Sequence, residues 1–439
     1  MKILFCKDFH GSQGQTGKIL MSLTIFKHVF SIIQKFKNTS IFLFNNMSMK
    51  KIYLYSPRPD FHSLYHLLIQ NPPEGYEVIQ PQFTMEKTQQ SLRKSKIARF
   101  IYKRLIKKLI NPIKNEDKKF IFKKIPSADM IFSVGRLVLK KKIPHVIEVV
   151  DKLNTLTGYD NLLFQKNKKY IEDALSSPSC KRIICWTEGT KNDFINELDS
   201  KNFIDKLEVV NLAIKPRTSF VKKYNEKDAI TLLFVGSINN PDDFKIKGGL
   251  ETIETFKLLQ KHHKNLKLIV RCKIPQDAKK KYSALKNLEI IEEFLSKEDL
   301  NALYENADIF MTPSHNLNGL APLEAMSYEL PLIGINTWSV DEVIMDEFNG
   351  FLVPKSEKIP YEEKKFHLDI RSPEFLAYIS QVDEALIARL AEKTEILIKD
   401  AQLRKTFGKN GRLLVEEGKF SLKERNKRLK KIFDEALRN

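Results

Sequence analysis

The sequence predicts an α/β chain of two doubly wound domains with parallel sheets, on three observations. Short, β-branched apolar runs alternate with amphipathic helical segments, the pattern of strand, crossover and parallel strand. The alternation restarts after "KPRTSFVKKYNEKD", near residue 228. The 439 residues, 42% of them hydrophobic, suffice for two cores of ordinary size.

Taken in order, "KKIYLYSP" from Lys50 reads as a strand, "FHSLYHLLIQ" as a helix and "GYEVIQP" as a strand. "DMIFSV", "PHVIEVVD" and "KRIICWT" complete the strands of a first domain at 49–228. A second domain at 229–415 opens on the strand "AITLLFVGS" and the helix "GGLETIETFKLLQKH". Strands "LKLIVR" and "LEII", helix "KEDLNALYENA" and strand "DIFMTP" follow. Residues 416–439 read as a closing helix. Residues 1–48 form an extension ahead of a second candidate start at Met49. Within it, "HGSQGQTGK" approaches a phosphate loop, but that pattern needs Gly at Ser12 and Ser or Thr at Ile19, so a polar turn is expected. "MSLTIFKHVFSIIQKFK" has helical apolar spacing and suits either an interfacial helix or an extra helix packed on the first domain.

The four cysteines, Cys6, Cys180, Cys185 and Cys272, form no CxxC pair and match no His at zinc spacing. Free thiols in a reducing compartment, with no disulfide and no structural metal, are expected. No apolar run reaches the ~20 residues that span a bilayer, and the amino terminus lacks a signal peptide's apolar core and cleavage site. A cytoplasmic protein is expected. The net charge of +20 is concentrated: residues 85–142 carry 18 Lys and Arg against 4 Asp and Glu, a local excess of +14. Within that stretch "SLRKSKIARFIYKRLIKKLINPI" spaces Ile97, Ile101, Leu105 and Leu109 at helical steps between dense cations.

The stretch richest in chemistry is "SHNLNGLAPLEAMSYELPLIGI", from Ser314. It follows a strand, turns at Gly319, and places Pro322 where a first helical residue belongs, with Glu324 inside the first turn. Backbone N–H groups at Gly319, Leu320 and Ala321 would then point at whatever precedes the helix, a setting made for an anion.

Several ordered motifs in the second half together resemble the family 4 glycosyltransferases of the GT-B fold, also known as glycosyl transferases group 1. These are the "FVG" strand end, "KIKGGLETI", "LYENADIFMTPS", "NGLAPLEAM", "LPLIGINTWSVDEVI" and "NGFLVP", within about 230–433. The first domain matches weakly, through "SPSCKRIICWTEGTKNDF", "VVNLAI" and "IPHVIEVVD". The resemblance implies two Rossmann-like domains facing across a cleft, with the closing helix returning to the first. It also implies a retaining, metal-independent sugar transfer from a nucleotide-diphosphate donor such as a UDP-, GDP- or ADP-sugar, without a cofactor. The acceptor would be a glycan or lipid-linked molecule.

Carried onto this chain, the resemblance makes Lys247 the diphosphate ligand and Glu324 the acceptor of the ribose hydroxyls. Together with Asn316 they form the catalytic set, and Gly236, Ser237, Gly248, Gly319, Leu320 and Ala321 are added as donor-binding positions. Departures are plain. The family's first motif acid is Asn316 here, which can donate and accept hydrogen bonds but cannot carry negative charge. The arginine that often follows the strand-end glycine is Ser237, the His-Asp after "PHVIEV" is Val150-Asp151, and "SPRPDFH" replaces a glycine-rich loop. Arg58 and Lys245 are candidate replacements for the arginine. His315 is expected to be solvated or locally bonded and is left out of the catalytic set. The basic helix from Ser91 to Lys108 is similar to those that dock family members on anionic lipid, which implies a peripheral position on the inner membrane face. The departures leave a catalytically weakened homologue that binds a sugar nucleotide or assists a partner enzyme as the alternative. Nucleic acid ranks last, since no recognition motif accompanies the charge.

Overall fold

The structure is a computed structural model that describes residues 49–56, 63–80, 127–138, 142–150, 152–215, 217, 220–222, 224, 229–317, 319–363 and 369–438. The extension at 1–48, the Ser91–Lys108 segment, Asp151 and Arg58 lie outside the described residues. Residues 51–439 form one compact unit.

Six strands build the first sheet: β1 (Lys50–Tyr55), β2 (Tyr76–Ile79), β3 (Met130–Val134), β4 (His145–Val149), β5 (Cys180–Cys185) and β6 (Leu207–Val209). They lie in the order β2-β1-β3-β4-β5-β6. The pairs from β1 to β6 through β3, β4 and β5 are parallel. β3, "MIFSV", is buried along its whole length, as a central strand covered on both faces must be. β6 has only three residues, too short to carry an alternation signal of its own.

The second sheet contains β7 (Thr231–Val235), β8 (Lys267–Arg271), β9 (Leu288–Ile291), β10 (Ile309–Thr312), β11 (Leu332–Asn336) and β12 (Gly350–Pro354). Its order is β9-β8-β7-β10-β11-β12, with every neighbour parallel. The chain adds strands outward from β7 on one side and then, from β10, on the other. A crevice therefore opens between β7 and β10 at their carboxyl ends. Leu232 and Phe234 face one core of this sheet and Leu233 and Val235 the other, as the two-residue period requires.

The last helix, Leu422–Arg438, lies on the first sheet. Leu429, Ile432, Phe433 and Ala436 join the core of β1 and β3, and the Phe433 ring meets Tyr76 and Phe132 edge-on at 5.3 and 5.8 Å. Burying one such phenylalanine contributes roughly 1.5–3 kcal/mol. A second connection joins the sheets near β5. The Glu342 carboxylate accepts from the N–H groups of Glu188 (2.8 Å) and Gly189 (2.9 Å), which open the helix Glu188–Glu197. An anion there complements the helix dipole and holds Trp186, two residues earlier, against the second domain. Gly189 is small for a reason, since a Cβ there would lie 2.1 Å from Ser339 Oγ.

One local expectation is corrected. The helix after β10 runs Leu320–Ser327, so Pro322 is its third residue rather than its first and Glu324 stands beyond the first turn. Gly319 ends the loop with φ 46°, and its glycine serves that backbone angle, because nothing lies within 4 Å of where a Cβ would sit.

Candidate functional site

A pocket of about 420 Å³ fills the crevice at the β7–β10 switch point. Its walls include Val235 and Gly236 after β7, Arg271 at the end of β8, Ser314 and Asn316 after β10, and Gly319, Leu320, Ala321 and Glu324. Lys247 and Arg371 add charge, and Trp186 closes it from the first domain.

Lys247 follows the short helix Asp242–Ile246 and is held by its neighbour. Gly248 has φ 80°, and a Cβ there would lie 1.9 Å from the Pro313 carbonyl oxygen, so only glycine allows the turn to lie against the end of β10. The His315 N–H donates to Ile246 O at 2.9 Å and Ser314 Oγ to the same oxygen at 3.3 Å, strapping the loop after β10 beside Lys247. The Lys247 ammonium has no hydrogen-bond or carboxylate partner among the described residues. Burial holds its pKa below the ordinary lysine value, against the attraction of Asp243. A desolvated cation of this kind gains most from an incoming anion, and the N–H groups of Leu320 and Ala321, which have no partners within their helix, face the same space.

Glu324 is oriented by Tyr304, whose hydroxyl donates to Oε2 at 3.1 Å. Tyr304 is fixed in turn by stacking on Tyr328, with centroids 5.4 Å apart, and on Phe310 at 5.9 Å. Burial raises the Glu324 pKa, opposed by the Tyr304 hydrogen bond and by Arg217 and Arg271. Its other oxygen is free to accept from a ligand hydroxyl. Asn316 is 5% exposed, and its side-chain amide has no partner among the described residues.

Other expectations are revised. Ser237 and Gly248 are not on the pocket wall: Ser237 Oγ accepts from the Asn239 N–H at 3.2 Å, and Gly248 acts by positioning Lys247. Lys245, a candidate replacement for the arginine, does not line this pocket, and its ammonium donates to Ser380 Oγ at 3.0 Å. His315 is not solvated. It is fully buried, with Nδ1 2.5 Å from the Tyr361 hydroxyl and Nε2 3.0 Å from Glu251 Oε1, a strap between core elements. Sequence reasoning passed over Arg271, Arg371, Trp186 and Tyr304. Arg271 had a usable signal, a cation at the carboxyl end of a strand next to the first strand of a doubly wound domain. The others reach the pocket by folding alone.

Cys180, Cys185 and Cys272 are buried free thiols. Among the described residues no helix is long and apolar enough to cross a membrane.

The model of the family described as Glycosyl transferases group 1 matches residues 229–362, which supply most of this pocket's walls. Capsular polysaccharide biosynthesis glycosyltransferase CapM of Staphylococcus aureus is 25% identical over 325 residues, 70% of this chain and 74% of that protein. Among solved structures, sucrose-phosphate synthase from Thermosynechococcus elongatus superposes with a TM-score of 0.57 at 14% identity, covering 88% of this chain and 98% of its own. WaaG, a glycosyltransferase involved in lipopolysaccharide biosynthesis, does so with a TM-score of 0.52 at 16% identity, covering 87% and 99%. The chain also spans just over half the length of several longer solved structures that it matches. Residues 229–362 are thus similar to the glycosyl transferases group 1, and the two parallel six-stranded sheets of the chain form the GT-B fold.

Proposed function

We propose that the chain is a retaining glycosyltransferase that moves a sugar, without a metal ion, from a nucleotide-diphosphate donor to a lipid-linked or polysaccharide acceptor. The observation that carries this reading is the Lys247 ammonium, without a partner among the described residues, beside the opening N–H groups of the helix Leu320–Ser327. In the reaction Lys247 and the Gly319 loop stabilise charge building on the leaving diphosphate, Glu324 accepts from the ribose hydroxyls, and Asn316 positions the donor by hydrogen bonding. Trp186 and the facing first domain exclude water from the bond that breaks. The named role of CapM supports a polysaccharide acceptor.

A panel of UDP-, GDP- and ADP-sugars should include one that binds and turns over. Lys247→Ala and Glu324→Ala should each weaken its binding by on the order of 1.5–3 kcal/mol, as loss of a charge-assisted contact does. Unchanged affinity by calorimetry in both folded variants would remove the assignment. Asn316, standing where an acid is expected, favours a second reading of a weakened homologue. That reading wins if the wild type binds a donor without turnover and Asn316→Glu restores transfer.

The excess of +14 in 85–142 supports action on an anionic membrane surface, each cation near such a surface contributing roughly 1 kcal/mol. Reversing the charges of Lys103, Arg104, Lys107 and Lys108 should release the protein from acidic vesicles in a sedimentation assay. Equal binding of variant and wild type would sink this part.

A further inference from the structure

We infer that Arg271 is a second cation on the donor diphosphate, held by a strand end where Lys247 is held by a helix end, and acting on the leaving phosphate. This rests on the donor-site reading above and adds a residue to it. Arg271 is the last residue of β8, paired in register with Val235 of β7. Its backbone oxygen accepts from the Gly236 N–H at 2.8 Å, which fixes the stem at the mouth of the switch-point crevice.

The guanidinium has five N–H donors, and few are used. Nη1 donates to Gly236 O at a long 3.3 Å, while Nε is buried with no partner. No carboxylate among the described residues forms an ion pair with it. The other cations nearby differ. Arg371 is exposed and tied to Asp243 by an Nη2–Oδ1 contact of 2.5 Å, and Lys245 is turned to Ser380. Among the described residues, Lys247 and Arg271 are thus the two pocket cations without an ion-pair partner, one at a helix end and the other at a strand end. Lys247 is a point charge, whereas a guanidinium offers a planar fork that matches two phosphate oxygens. Gly236 and Arg271 both line the pocket. A Cβ at Gly236 would lie 2.4 Å from Cys272 Sγ, so the strand end stays bare.

A competing role exists on the same geometry: Arg271 is close enough to Glu324 to oppose the rise of its pKa, and could serve only that carboxylate. The two roles predict different losses. A phosphate ligand matters for nucleoside diphosphates and sugar nucleotides, whereas a support for Glu324 matters equally for the nucleoside alone.

The test measures, by calorimetry on the full chain, the affinities of UDP, GDP and ADP, of the matching monophosphates and of the nucleosides. The base that binds wild type most tightly is then followed through the variants. Arg271→Ala should weaken the diphosphate 10- to 100-fold and the nucleoside less than threefold, and Arg271→Lys should fall between wild type and Arg271→Ala. If Arg271→Ala does not fold, Arg271→Lys carries the test, with a loss of threefold or more expected for the diphosphate alone. Equal losses for diphosphate and nucleoside assign Arg271 to Glu324 and overturn the inference. No loss in Arg271→Ala, with a clear loss in Lys247→Ala, overturns it while leaving the donor site standing. A wild type that binds none of the diphosphates removes the donor site and this inference together.

Discussion

Two cavities at the carboxyl ends of the two sheets invite comparison. In the second domain the pocket is open, about 420 Å³, and two of its cations, Lys247 and Arg271, have no ion-pair partner among the described residues. In the first, a cavity of about 30 Å³ lies between the sheet and the last helix, walled by Leu64, Leu68, Phe132 and Leu429 around Glu148 and Arg425. That volume holds little more than one water. Its charges are also engaged. Glu148 meets Tyr65 and Trp186, Arg425 Nη2 donates to Asn71 O at 3.1 Å, and the two charges attract each other. Doubly wound topology provides an opening in both domains, but only in the second is charge left unmatched among the described residues, and the proposed donor site rests on that charge. In the first domain the returning helix fills the space and supplies the counter-charge.

The strongest way to break this contrast is through two glycines with nearly the same backbone angle. Gly248 has φ 80° and faces the Pro313 carbonyl, whereas Gly75 in the first domain has φ 84° with nothing within 4 Å of its Cβ position. Gly75→Ala should cost only the left-handed strain, ~1–2 kcal/mol. Gly248→Ala adds a backbone overlap and should cost about 3 kcal/mol or more, because the loop around Lys247 must move. Denaturant titration reads both costs, and nucleotide binding should fall with Gly248→Ala only. Equal costs for the two variants would show that the close approach to Pro313 does not hold the Lys247 turn.

A smaller effect sharpens the other side. Burial pushes the Glu148 carboxyl up to about 7, against hydrogen bonds from Trp186 and Tyr65 and the charge of Arg425. The folded protein therefore keeps a proton that the unfolded chain releases near pH 4.5. Between that pH and about 7 the folded state binds more protons, so stability falls as pH rises. Glu148→Gln removes this dependence. Relative to wild type it should gain about 2 kcal/mol on going from pH 5 to pH 8, read from denaturant midpoints. A constant difference across that range would mean that Glu148 is ionised and satisfied in the folded state.

Much of the molecule was legible in its residues. Strands such as "TLLFV" and "IFMT" announce themselves because β-branched and aromatic runs bounded by turn residues have few other stable uses. The turn at Gly248 and the loop from Gly319 to Glu324 were readable as local features, because a glycine before a helix marks a tight turn whose opening N–H groups are left unpaired. The helix start was misjudged by two residues because Pro322 tolerates any position in the first turn, and the backbone angle of Gly319 decided the boundary.

What the sequence by itself determined is therefore local: the alternating elements, the restart of the pattern, and the order of loop, glycine and acid around Lys247 and Glu324. Tertiary structure alone decided which cations remain unmatched. Lys245 and Arg371 found partners in Ser380 and Asp243, His315 was drawn into the core by Glu251 and Tyr361, and Arg271 was left facing the crevice. The physical reason is that a side chain's availability depends on every group packed around it. Those neighbours come from segments up to 135 residues away, as for Lys245 and Ser380, and no local spacing records them.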